Sequence, residues 1–171
     1  MKSYRNILGS LVLLGATSLA VPAALAEDGA AKLSHSPDGW IVKSEASEFS
    51  EGRIVVALKI DKDLITGLGL RCTDHVKQVT LRHFDAAFEA GKKYPVSLRV
   101  AKGAIESYSG IATNNRTLLI DDGEKFIGSV MGAKKIALRL ETGPQLFEEV
   151  KFESDDMREA LKLFLDECPV K

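Results

Sequence analysis

Two cysteines, three histidines and a set of arginines on alternating apolar segments are the residues of this 171-residue chain with chemistry to offer. Cys72 and Cys168 are its only cysteines, and in an exported chain an even count is most simply read as a disulfide. The alternation Leu68, Leu70, Cys72 puts one sulfur on the apolar face of a strand, with Arg71 turned away. Met157, Ala160, Leu161, Phe164 and Cys168 fall at i, i+3, i+4, i+7 and i+11, one helical stripe, so the second sulfur also faces inward. Closing a loop of roughly a hundred residues stabilises by about 4–5 kcal/mol in the chain-entropy model. The alternative is a redox or metal pair, for which Cys72-Thr73-Asp74-His75 offers a C-x-x-H spacing. That spacing supplies half of a closed tetrahedral set, and His35 and His83 are remote in sequence.

Nucleophile and acid patterns are weaker. Gly128-Ser129-Val130-Met131-Gly132 approaches a nucleophile elbow, but its serine stands one place early for G-x-S-x-G and the segment reads as helix. A serine triad also needs a histidine base, and His35 falls in a polar leader, His75 in a turn and His83 in a strand. The pairs Asp121-Asp122 and Asp155-Asp156 sit at turn and cap positions, and Glu148 and Glu149 point to opposite faces of a strand. Asp61-Lys62-Asp63 lacks the later glycine and glutamate of a calcium loop. No catalytic residue, metal ligand set or cofactor is expected. The arginines differ: Arg71, Arg99 and Arg139 each lie opposite the apolar residues of their strands, and Arg82 joins them in the same register. On neighbouring strands they would form a guanidinium stripe whose forks bind carboxylate or phosphate, on an anionic envelope glycan or an acidic protein surface. The alternative is strand-surface arginines paired across to Glu or Asp.

The elements that must position these residues begin after a targeting segment. Lys2 and Arg5 precede an apolar run from Ile7 to Val21; Pro22 breaks it, and Ala24-Leu25-Ala26 supplies the small residues a signal peptidase needs, so residues 1–26 read as a signal peptide cut after Ala26. The run is shorter than the roughly 20 residues that span a bilayer, and no later segment is long and apolar enough. Removing 26 residues from 171 leaves 145, with 21 basic and 24 acidic side chains. A charge of −3 on that span lacks the clustered positive field nucleic acid requires. Residues 27–38 read as a flexible leader and 39–171 as a single α+β domain.

Strands are expected from Trp40, over Arg53–Ile60, Gly67–Cys72, Val76–Phe84, Tyr94–Ala101, Glu106–Thr113, Thr117–Ile120, Lys135–Glu141 and Leu146–Phe152. Asn114-Asn115 is expected to turn one hairpin. Asp85–Ala90 reads as a loop. Asp122 is the expected N-cap of a helix from about Gly123 to Gly132, and Asp156, with Glu159 three residues on, opens a final helix that Pro169 closes. The expected fold is an antiparallel sheet or small sandwich of about seven to nine strands with two helices, the C-terminal one disulfide-tethered.

In order, the signal peptide, a Gly39-Trp40 strand, Leu70-Arg71-Cys72, a P-V-x-x-R-V strand at Pro95–Val100, a helix, the Leu138–Leu140 strand, Phe152 near the last strand and a helix ending in Cys168 form a recognisable pattern. Over about residues 39–168 it resembles the small periplasmic proteins associated with type VI secretion, the VasI or TagO-like family. The resemblance implies an accessory, non-enzymatic envelope protein. The functional expectation is a periplasmic binding protein whose partner is another envelope protein or an anionic envelope component. A small envelope hydrolase and an inhibitor of a secreted hydrolase, presenting the loop Thr113–Arg116, are the alternatives.

Overall fold

The computed structural model describes residues 31–49, 51–143 and 146–169; the segment read as a signal peptide and the start of the leader lie outside these. Among the described residues the fold is α+β, with ten strands in one antiparallel sheet and three short helices. The strands are β1 (Lys32–His35), β2 (Ile41–Ala46), β3 (Arg53–Ile60), β4 (Thr66–Thr73), β5 (Val76–His83), β6 (Lys93–Val100), β7 (Ile105–Asn114), β8 (Thr117–Ile120), β9 (Lys135–Gly143) and β10 (Leu146–Glu153). Their order is β1-β2-β3-β4-β5-β8-β7-β6-β9-β10.

The strands form where the pattern alternates. In β3, Val55 and Ala57 turn inward while Val56 and Leu58 turn out, and in β6 Val96 and Leu98 turn inward from Ser97 and Arg99. The hairpin between β4 and β5 closes on Asp74 and His75, both left-handed at φ 49° and 64°, the geometry whose twist matches the flanking strands. A twisted sheet of this many strands curls, and here its inner faces meet. His83 of β5 contacts the Glu148 carboxylate of β10, and the ammonium of Lys59 on β3 donates to the Glu153 carbonyl of β10. The enclosed core includes Trp40, Leu68, Leu70, Leu98, Leu138 and Phe152, all fully buried.

The helices are α1 (Gly123–Val130), α2 (Met157–Ala160) and α3 (Lys162–Glu167). Asp122 caps α1, its side chain accepting from Lys125 N–H at 3.3 Å, and Phe126, Ile127 and Val130 face the core. The Phe126 ring meets Tyr108 of β7 edge-on at 5.3 Å. Asp156 caps α2, accepting from the N–H groups of Arg158 and Glu159 at 3.0 and 3.1 Å. The disulfide joins Cys72 on β4 to Cys168 at the end of α3, with Cα atoms 6.3 Å apart.

Three expectations change in detail. Lys32–His35, within the segment read as a flexible leader, is an edge strand paired with Ile41–Ser44. The turn behind it is locked: Ser36 Oγ accepts from Trp40 N–H at 2.9 Å, Gly39 takes φ 89°, and Lys32 pairs with Glu167 of α3 at 2.7 Å. That strand is why ten replace the expected nine or fewer. The final helix leaves helical geometry at Leu161 (φ −101°, ψ 13°), which makes α2 and α3 of one expected element. Bonds from Leu161 N–H to Met157 O and from Leu165 N–H to Leu161 O span the break, so the buried stripe runs on through it. The β7–β8 turn falls on Asn115-Arg116, one place later than expected, because Asn114 Oδ1 accepts from Arg116 N–H at 2.9 Å.

Candidate functional site

Strand pairing decides which outward side chains share a neighbourhood. Arg99 on β6 stands opposite Ile105 of β7 and Ala137 of β9; Arg139 on β9 stands opposite Ser97 of β6 and Glu149 of β10. The two arginines therefore occupy one diagonal of the β6–β9 pair, and the small residues Ser97 and Ala137 occupy the other. Diagonal neighbours lie about 7–8 Å apart, within reach of long side chains. Small residues between two long ones leave a depression, and a cavity of about 80 Å³ is found there, lined by these four residues together with Ile105 and Glu149.

The two guanidinium groups are held differently. Arg139 lies over the Phe147 ring at 4.7 Å and has Nη2 4.0 Å from Glu149 Oε2, whose other oxygen is 3.7 Å from Lys151. Arg99 has no hydrogen-bond or ion-pair partner among the described residues. The notch thus holds one unpaired guanidinium, one loosely paired, a hydroxyl at Ser97 and an aliphatic wall at Ile105, which is 54% exposed. Such a set can hold an anion by charge-assisted hydrogen bonds.

Arg71 and Arg82 share the outer face but not the notch. Arg71 on β4 faces Gln78 and donates to Thr73 Oγ1 at 3.3 Å, and Arg82 on β5 faces Gly67 and lies 5.2 Å from the Phe84 ring. Between β5 and β6 run β8 and β7, a separation of about 14 Å at the usual strand spacing. Of the four arginines that the sequence singles out, the structure brings together Arg99 and Arg139. Ser97, Ile105 and Ala137 carried no signal of their own; the alternation marks them as outward, and only the β6–β9 pairing makes them one surface.

The other polar centres are occupied by the fold. Ser129, from the elbow-like segment, donates from α1 to Glu106 Oε2 at 2.9 Å, and the Tyr108 hydroxyl donates to the same oxygen at 2.8 Å. These two hydrogen bonds hold the Glu106 carboxyl below its usual range, which makes it a poor base, while burial, and after it the hydrogen bond to Glu106 and the Glu106 charge, push the Tyr108 hydroxyl up to about 12 against the opposing Ser129 contact. His83 accepts from Asp85 N–H at its Nδ1 and meets Glu148 at its Nε2, so neither nitrogen is free. Lys59, 6% exposed, donates to the carbonyls of Asp38 and Glu153; burial lowers its pKa and the Asp38 charge opposes that.

A larger hollow of about 290 Å³ lies between the β1–β2 turn and α2, lined by Asp38, Asp155, Asp156 and Glu159 among others. Two of these acids serve the fold. Asp38 accepts from the hydroxyls of Ser36 and Ser154, and Asp156 is the cap of α2. Burial raises the Asp38 pKa, but those two hydroxyls and the Lys59 charge outweigh it and leave the pKa lowered. Among the described residues no group of His, Cys, Asp and Glu is placed to hold a metal ion. No helix among them is long and apolar enough to cross a membrane.

No protein-family model, curated protein or solved structure matches this chain.

Proposed function

We propose that this chain is a non-enzymatic binding protein of the bacterial envelope, exported to the periplasm, that engages an acidic group of its partner through Arg99 and Arg139. The observation that carries this is the notch itself: two outward guanidinium groups converge on one small cavity, and Arg99 enters it without a partner of its own. Export is supported by the signal-like N-terminus and by the buried Cys72–Cys168 pair, which suits an oxidising compartment. The resemblance to type VI secretion-associated proteins would make the partner a component of that apparatus. A hydrolase, by contrast, needs a nucleophile beside a free base, whereas Ser129 is bonded to a weak carboxylate and His83 has both nitrogens engaged.

Affinity capture from periplasmic extract tests the proposal, using the wild-type chain beside an Arg99→Ser/Arg139→Ser variant and an Arg71→Ser/Arg82→Ser variant. The expected result is a partner retained by the second variant and lost by the first. Identical partner profiles for all three would remove the Arg99–Arg139 pair from binding.

A further inference from the structure

The two arginines alone would accept any anion, but the walls of the notch are less even-handed. One side is the aliphatic Ile105, the other is the Glu149 carboxylate 4.0 Å from Arg139, and the floor offers the hydroxyl of Ser97. We infer that the notch prefers a singly charged carboxylate on a short aliphatic stem to a doubly charged phosphate, with Ile105 receiving the stem and Glu149 offsetting the extra charge of phosphate; the inference rests on the anion-binding reading above. The partner chemistry is that of an acidic protein segment with an aliphatic neighbour.

Size narrows the ligand first. A single water needs about 10–15 Å³ of such a cavity, so 80 Å³ holds roughly five to eight heavy atoms. A carboxyl with a short stem fills it, and the remainder of the ligand lies outside in solvent. Shape adds the stem: a guanidinium fork takes a carboxylate or a phosphate edge to edge, but the carboxylate also lays its stem against Ile105, a contact inorganic phosphate lacks. Charge acts both ways. The two guanidinium groups draw a dianion more strongly than a monoanion, and the Glu149 carboxylate beside Arg139 repels it more strongly in the same proportion, so Glu149 takes back part of the advantage that charge gives phosphate. A carboxylate meets that repulsion once and the dianion twice, at a cost on the order of threefold in affinity per charge.

Two protein sources present this chemistry, a chain terminus and a glutamate side chain. The probes are therefore N-acetyl-leucine, the α-amide of N-acetylglutamic acid and inorganic phosphate at pH 8, where phosphate is a dianion. Each is titrated into the chain at low salt while the arginine Nε–Hε resonances are followed by NMR. The expected result is that at least one carboxylate shifts Arg99 and Arg139 with a Kd fivefold or more below that of phosphate, the tighter of the two naming the source. In Glu149→Gln, phosphate should tighten about tenfold and the carboxylates by less than about threefold. Glu149 is exposed, and an unaltered amide spectrum verifies that the variant folds. Phosphate binding as tightly as the better carboxylate, or Glu149→Gln tightening all three equally, would overturn the selection and leave the anion site standing. No arginine shift with any probe, or shifts that survive Arg99→Ser/Arg139→Ser elsewhere on the chain, would overturn both.

Discussion

Glu153, at the end of the edge strand β10, receives Lys135 at 2.6 Å and Lys62 at 3.0 Å, and those hydrogen bonds followed by the two positive charges lower its pKa to about 2. A carboxyl held below its unfolded value contributes stability that is present above that value and fades as pH falls toward the folded one. The contribution from Glu153 should therefore be constant above about pH 5 and vanish between roughly pH 4.5 and 2. Comparing thermal midpoints of wild type and Glu153→Gln across that range checks it: the gap should close with acid, and a gap that persists at pH 2 would assign it to packing instead. Legibility in sequence is uneven at this scale. The outward setting of Arg99 and Arg139 was readable because Val96, Leu98, Leu138 and Leu140 alternate around them. The lysine partners of Glu153 were not, since one comes from the loop after β3 and the choice among exposed ions is made by tertiary geometry.

Among the elements, α1 shows how a local rule can be obeyed at one position and reversed at another. Glycine in a helix is usually about 0.5–1 kcal/mol worse than alanine. At Gly128 a Cβ would meet nothing within 4 Å, so Gly128→Ala should stabilise by about that amount. At Gly123 the same atom would lie 2.8 Å from the Lys77 carbonyl of β5. Gly123→Ala should therefore destabilise, by about 1–3 kcal/mol, because the first turn must back away from the strand it covers. Urea unfolding of the two variants tests the contrast, and equal effects of the same sign would refute the close-approach account. The helix and its Asp122 cap were visible in sequence, but that Gly123 is a packing requirement and Gly128 is not depends on the strand beneath, which no local pattern shows. Strand β1 escaped for the opposite reason. Lys-Leu-Ser-His has little alternation, and it is held by the Ser36 turn and an ion pair to α3 rather than by apolar burial.

For the whole molecule, the antiparallel class was legible because successive alternating segments are separated by short turns. The strand order was not, because after β5 the sheet continues with β8 and β7 and then joins β6 to β9 across intervening chain. Such pairings depend on which faces must close over the core, and no local pattern encodes them. The same order scatters the four arginines, gathering Arg99 and Arg139 while leaving Arg71 and Arg82 beyond two strands. It also explains where the disulfide acts. Cys72 lies in the first half of the sheet and Cys168 follows the last strand, 96 residues on, so the bridge spans every strand from β5 to β10. It ties α3 to β4 by a covalent link, whereas the closure between β10 and the first half otherwise depends on side chains such as Lys59 and His83. A loop of this length constrains the unfolded chain by about 4–5 kcal/mol in the entropy model. Reduction should therefore lower the urea midpoint by about 2 M, given the usual slope for a domain of this size. The measurement is paired urea curves with and without reductant, followed by fluorescence of the buried Trp40. A midpoint that does not move on reduction would mean that the curled sheet closes unaided and that the bridge merely records a contact already made.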